Sequence, residues 1–487
     1  MVVIEGRRLT CAQVAAVARG RETVELAPGV RDRVAAAHER AVAATGRRQV
    51  YGRTTGVGAN RDVTVADPAA HALNLLRSHA TTAGPPVDPE AVRGMLVVRL
   101  NQLAAGGSGV HPRVVDGLHA LLRDGVLPDV RREGGIGMGD LAALAATALT
   151  ILGERPGGPT GTPGPPPGPA AAAGDVLAFM SSNALTIAES ALACADLARL
   201  GRAAVVVAGL SARALRANLE AFDPLVEEIT PFPGARAVCR WMRELLGEGY
   251  TPARLQDFFG LRCLPQVQGP VLDAVEGLDG VVGRLANVAA ENPVVRPDAP
   301  DVVHHGGFHT AYLGLSLDAA TLAVAQSGAS VLGRLAHLLE PLTPGGPAFL
   351  AGGVPGSSGA MALEFVAASA LGALRALAVP AGLQTVTLSR GVEDDASFAS
   401  LSARQARDAV PRYATLLACE LVAAVRSLRL QGLTADQLRT GSSAAGPKLV
   451  AALALCRDLP DSPADRDLTP DLDLATALLE PLADLLA

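Results

Sequence analysis

Aromatic residues are scarce in this chain of 487 residues, at 3%, and its apolar half is mostly alanine, leucine and valine. A core of that kind is filled by helices brought close through small side chains, which predicts a mainly α protein. The six cysteines, Cys11, Cys194, Cys239, Cys263, Cys419 and Cys456, lie far apart without a C-x-x-C pair, which speaks against a zinc knuckle or a disulfide framework. No polybasic run or basic-aromatic interleaving occurs and the formal charge is -6, so neither nucleic acid nor an anionic membrane surface is an expected partner. Apolar stretches are broken by charge, by Glu364 and Arg375 in one and Asp318 in another, and the N-terminal segment mixes an acid with basic residues. A soluble, cytoplasmic protein is the expectation.

Helix-favouring periodicity is present instead, over 9–45, 69–127, 141–152 and from Asn183 to about Leu219. In the second half, Leu315–Leu339, Gly359–Ala378 and Ala403–Leu428 would each span on the order of 25–40 Å as helices, enough for an elongated bundle. Residues 1–200 form the expected N-terminal domain and 201–487 the central and C-terminal helical bundle. A proline- and glycine-rich excursion over 155–174 can neither build a core nor continue a helix, so it is expected to be exposed and mobile.

Polar islands interrupt this background. The run Glu133-Gly134-Gly135-Ile136-Gly137-Met138-Gly139-Asp140-Leu141 reads as a glycine-rich loop entering a helix, with Asp140 placed to cap it. Residues 50–60, with three glycines and Tyr51, read as a lid. Asn74–Ala80 and Arg99–Gln102 set polar groups inside apolar helices, where they either knit a core or line a pocket. Further islands are Gln256–Gln266, Glu291-Asn292-Pro293, His304–His309 and Gly391–Asp395. The three histidines at 304, 305 and 309 have no further cysteine or histidine close by in sequence, and no metal is expected.

In this order the islands resemble the aromatic amino acid lyases, that is, histidine and phenylalanine ammonia-lyases and related aminomutases. YGRTTGVG (51–58) is similar to the family's YGxxTGFG lid, NLLRSH (74–79) to NLxxSH, and RLNQLAAGGSG (99–109) to RxNxLxxGxSG. QDFFGLRCLPQ (256–266) is similar to QDxYSLRCxPQ, ENP to DNP, GGFH to GNFH and VEDD to QEDH. The resemblance extends from about Arg47 to Leu433 and implies a mainly α fold with a mixed N-terminal part and a central bundle of long helices. It also implies a homotetramer whose subunits share active sites, and an electrophile, methylidene-imidazolone, built from an internal Ala-Ser-Gly.

Gly137-Met138-Gly139 occupies that triad, so Met138 stands at the serine and offers no hydroxyl to dehydrate. Other departures are Phe259 for a loop tyrosine, Val392 and Asp395 in QEDH, and Gly307 in GNFH. Either Asn183 or Ser181 stands for the asparagine of the family's INGT element. The expectation from the triad is that no such cofactor forms and that ordinary ammonia loss does not occur. The chain would instead carry out cofactor-free acid/base elimination, addition, isomerisation or cyclisation on a small carboxylate or amino-acid-derived substrate. The alternative is an inactive pseudoenzyme or regulatory subunit.

Candidate site residues follow from chemistry and resemblance together. Arg262 can hold a substrate carboxylate in a bidentate pair, or form a core ion pair. Tyr51 resembles the family's base, although a phenol with an ordinary pKa of about 10 needs a charge or hydrogen bonds to act near neutrality. His79 is either a proton relay to the lid or a satisfied core histidine. Glu393 begins a cluster of three adjacent carboxylates. Asn183, Asn292, Phe308, Phe259 and Met138 complete the expected pocket, Met138 as a soft floor.

Overall fold

The computed structural model describes residues 1–157, 175–247, 250–352, 354–440 and 444–487. The expected excursion at 155–174 therefore lies, from 158 onward, outside the described residues. Helix accounts for 61% and strand for 5%, in agreement with the mainly α expectation. Two compact units are each assembled from three stretches of chain. The first comprises Met1–Ala195, Leu278–Asp318 and Pro380–Arg407, and the second Asp196–Gly277, Ala319–Val379 and Asp408–Ala487.

In the first unit, β1 (Val2–Ile4) pairs in parallel with β2 (Val24–Leu26). Helices α1 (Cys11–Ala18) and α2 (Val30–Thr45) flank β2, so the periodic stretch 9–45 is not continuous. Gly29, with φ 80°, turns the chain from β2 into the start of α2. Helix α3 (Pro68–His79) starts on Asp67, whose carboxylate accepts the N–H groups of Ala69 and Ala70, with Pro68 at the first position. Next comes α4 (Pro89–Ala104), buried on nearly every side. A helix apolar all round is a core helix, and α4 tolerates Arg99 and Asn101 because both are fully partnered. Arg99 bonds Glu291 at 2.8 Å and the carbonyls of Phe179 and Ala178; Asn101 bonds Ala286 and Asn287. These residues knit the core. A Cβ on Gly6 would lie 2.5 Å from the Ala105 backbone, so only glycine lets the first strand close on the end of α4.

Helix α5 (Pro112–Asp124) ends at Gly125 in the left-handed conformation. Strand β4 (Arg131–Glu133) pairs antiparallel with β3 (Ala83–Pro86), which fixes the start of the glycine-rich loop. The loop enters α6 (Leu141–Ile151), and α7 (Asp175–Met180) leads to α8 (Ala184–Ala214). A short antiparallel pair, β5 (Val294–Val295) with β6 (Val302–Val303), packs on the second helix: Val295 and Val302 join Ala41, Ala44 and Val50 in one apolar cluster.

The second unit contains α9 (Pro224–Ile229), α10 (Pro233–Leu246) and the short α11 (Phe259–Arg262). It shares α8, α12 (Leu264–Ala286), α13 (Ala311–Leu338) and α15 (Ala399–Leu430) with the first, and adds α14 (Ala362–Leu377), α16 (Ala435–Thr440), α17 (Pro447–Leu455) and α18 (Thr469–Asp484). Its interior holds a bidentate pair, Arg334 to Glu420 at 2.6 and 2.8 Å, with Ser211 donating to the same carboxylate. Gln268, Ser327 and Tyr413 close a second buried network, from 2.7 to 3.2 Å. By length and composition α13 and the stretch Ala362–Leu383 could cross a membrane. Helix α13 nevertheless keeps Leu317, Val324, Val331 and Leu335 buried and carries the paired Arg334, the pattern of a helix packed within protein.

Candidate active site

The glycine-rich loop is held by hydroxyl and amide groups of the first unit. Ser400 Oγ donates to the Gly135 carbonyl at 2.9 Å, and the Phe398 N–H donates to Ile136 at 2.9 Å. The Gly137 carbonyl accepts from both Thr310 Oγ1, at 2.7 Å, and Ser397 Oγ, at 2.8 Å. Gly137 has φ 81°, and a Cβ there would sit 2.2 Å from Ser397 Oγ, so this loop requires glycine at that point. Gly139, at φ 112°, donates its N–H to Asn183 Oδ1 at 2.8 Å, while Asn183 Nδ2 donates to the Phe308 carbonyl at 2.6 Å. Between these two fixed points Met138 is half-buried. Of the two residues considered for the INGT position, Asn183 touches the loop; Ser181 Oγ instead accepts the Asn292 N–H at 3.0 Å.

Asp140 does not cap the helix it opens. Its carboxylate accepts the Thr186 N–H at 2.8 Å and the Thr186 hydroxyl at 2.9 Å, so it caps α8. Behind it lies a narrow cavity lined by Asp140, Thr186, Glu189, Arg132, Ser400 and Arg404. Burial pushes the Asp140 carboxyl up to about 6, against the Thr186 hydrogen bonds that lower it. Burial likewise pushes Glu189 up to about 7, opposed by Arg404, Arg407 and Arg132 and reinforced by Asp140.

The lid folds over its own tyrosine. Tyr51 OH accepts the Gly58 N–H at 2.8 Å, and the Tyr51 N–H donates to His304 Nε2 at 3.2 Å. Burial raises the Tyr51 pKa; the Gly58 hydrogen bond and Arg61 pull it down, and Glu393 pushes it up. A Cβ on Gly58 would lie 3.8 Å from Glu393 Oε1, which brings Glu393 to the lid. A cavity of about 680 Å³ opens between the lid and α3, lined among others by Val57, Asn60, Asn74, Ser78 and His79. His79 Nδ1 lies 3.0 Å from the Leu75 carbonyl of its own helix. Asn292 Oδ1 accepts the His305 N–H at 3.0 Å, and Asp395 lies 3.4 Å from His309.

The first unit thus holds Tyr51, His79, Met138, Asn183, Asn292, Phe308 and Glu393. Arg262 and Phe259 belong to α11 of the second. Among the described residues Arg262 forms no ion pair; it bonds Gln256 Oε1 at 2.7 Å, and its guanidinium carbon lies 4.9 Å from the centre of the Phe259 ring. Phe259 is 69% exposed. Thr310, Ser397, Ser400 and Glu189 escaped the sequence reading. The signal available for the first two was a small hydroxyl residue just beyond the GGFH and VEDD islands.

The family model of the aromatic amino acid lyases matches residues 9–457. The chain is 34% identical to histidine ammonia-lyase of Symbiobacterium thermophilum over 97% of its length and 96% of that protein. It is also 34% identical to histidine ammonia-lyase of Streptomyces coelicolor, covering 98% and 96%. Its fold is similar to the crystal structure of histidine ammonia-lyase from Trypanosoma cruzi, with TM-score 0.88, 27% identity and coverage of 99% of this chain and 94% of that one. Tyrosine aminomutase from Streptomyces globisporus is similar too, with TM-score 0.89, 25% identity and coverage of 100% and 97%.

These relatives correct two expectations drawn from Met138. Near-complete coverage by histidine ammonia-lyases supports ordinary ammonia-lyase activity, which the sequence reading had excluded. The same relatives support the family's methylidene-imidazolone group, which that reading had denied. The loop's backbone suits such a group, with glycines in left-handed conformation and both flanking amides clamped. Its central side chain does not match, because Met138 carries no hydroxyl. By family model and by full-length similarity, the chain belongs to the aromatic amino acid lyases and is an enzyme, a lyase.

Proposed function

We propose that this lyase eliminates ammonia from an aromatic amino acid, with L-histidine the first substrate to test. The observation that carries the reading is the clamped loop 135–140 in a chain similar along almost its whole length to histidine ammonia-lyases. In the net reaction a β-C–H bond and the α-C–N bond break, a C=C bond forms, and the proton and amine leave. Arg262 orients the substrate carboxylate, since a guanidinium with one neutral partner keeps donors free for a bidentate pair. Tyr51 takes the β-proton, with the Gly58 N–H stabilising its phenolate. His79 and Glu393 serve proton traffic at the lid. Asn183, Asn292, Phe308 and Met138 of the first unit shape the pocket.

A homotetramer with sites completed by several subunits fits the exposed apolar side chains. Tyr312 is 82% and Leu383 80% exposed in the first unit, and Leu322 55% and Phe365 68% in the second. The free cysteines fit a cytoplasmic location.

The test is incubation with L-histidine, L-phenylalanine and L-tyrosine while the absorbance of the conjugated product acid is followed. Sustained turnover on one of them is expected, with Arg262→Ala raising KM at least tenfold. Absence of turnover on all three overturns the proposal.

A further inference from the structure

Three helices of the first unit bring together donors that lie far apart in the sequence. Cys11 opens α1, Cys194 lies within α8 and Asp279 within α12. The two Sγ atoms and a carboxylate oxygen all lie within 4.8 Å of one another. We propose that Cys11, Cys194 and Asp279 form a binding site for a borderline-soft divalent metal ion, zinc first among them.

The donor set is the first argument. Two thiolates with one carboxylate suit zinc, which binds sulfur at about 2.3 Å and carboxylate oxygen at about 2.0–2.2 Å. At a tetrahedral angle two such sulfurs stand roughly 3.8 Å apart and a sulfur and an oxygen roughly 3.6 Å, so the donors need to close by about 1.2 Å or less.

Burial and access provide the second. Both thiols are buried, at 3% and 2% exposure, whereas Asp279 is exposed and marks the route from solvent. Three protein ligands leave a fourth position for water on that side. The ion binds as two S–H protons are released to solvent, and two thiolates with one carboxylate then surround a 2+ charge. Because the three ligands come from α1, α8 and α12, the ion would tie the N-terminal helix to two helices of the unit's core.

The test uses the full-length protein, stripped with a chelator and titrated with Co²⁺ as an optical stand-in for zinc. One Co²⁺ per chain is expected, with a near-ultraviolet thiolate-to-metal band that stoichiometric Zn²⁺ removes. Cys194→Ala and Cys11→Ala should each abolish the band and weaken binding at least a hundredfold. Asp279→Asn should keep the band and weaken binding about tenfold. Cys239→Ala, a buried cysteine of the second unit, should change nothing. Because Zn²⁺ displacement is read on the unmodified chain, the proposal stays testable should a variant fold poorly. A chain that takes up Co²⁺ without a thiolate band, or whose band persists in Cys194→Ala, overturns it.

Discussion

The side-chain amide of Asn183 bridges Gly139 and the histidine-rich island, its Oδ1 accepting the Gly139 N–H at 2.8 Å while its Nδ2 donates to Phe308 at 2.6 Å. One side chain therefore sets both the floor and the wall beside Met138. Asn183→Ala removes both bonds and leaves a partly buried N–H and carbonyl without their partner. We expect a stability loss of about 1–3 kcal/mol. A further 10–100-fold fall in kcat should exceed what lost folding explains, and thermal melts beside steady-state kinetics separate the two effects.

Tyr51 has its pKa raised by burial, so the phenolate is scarce at neutral pH. A base of this kind gains activity as pH rises. kcat/KM should climb roughly tenfold per pH unit on the way to the Tyr51 pKa, and Tyr51→Phe should remove both the slope and most of the rate. A Tyr51→Phe enzyme with the unmodified pH profile would take Tyr51 out of the chemistry.

Glu189 supplies a pH test independent of catalysis. Its carboxyl is raised from 4.5 to about 7 by burial, so the folded protein holds the proton after the unfolded chain has lost it. The stabilisation is complete below about pH 4.5 and is lost as pH rises through 7. The shift corresponds to about 3 kcal/mol, and Asp140, raised to about 6, acts in the same direction. Denaturant melts of Glu189→Gln against the unmodified protein should differ in slope across this window, with the variant flatter.

Glu420 anchors the interior of the second unit by accepting both Arg334 bonds and the Ser211 hydroxyl. Glu420→Ala leaves a guanidinium buried without its counter-charge, for a loss of about 3–5 kcal/mol. Chemical denaturation reads it; an unchanged midpoint would show that the pair carries little of the unit's stability.

Much of the fold was legible because long Ala/Leu/Val runs have one stable use, as packed helices, and α13, α14 and α15 appear within a few residues of their expected positions. The loop at 133–141 was legible as a glycine-rich helix entry. The destination of the Asp140 side chain was not: a cap is a local expectation, whereas the turn at Gly139 aims the carboxylate at α8. Glu189 looked like one polar interruption in an alanine-rich helix, and only the arginines brought in from β4 and α15 reveal its setting. Cys11 and Cys194 failed as a pair for the same reason, since spacing along the chain says nothing of helices that meet in space. Met138 misled differently: one residue was read correctly as chemistry and then extended to the whole enzyme, against the similarity of the remaining chain to histidine ammonia-lyases.

The central claim is tested most directly by measuring ammonium and urocanate together while the purified protein is incubated with L-histidine. The expected result is continuous release of the two in equal amounts, lost in Tyr51→Phe. No urocanate beyond one equivalent per chain, with histidine recovered unchanged, would contradict it.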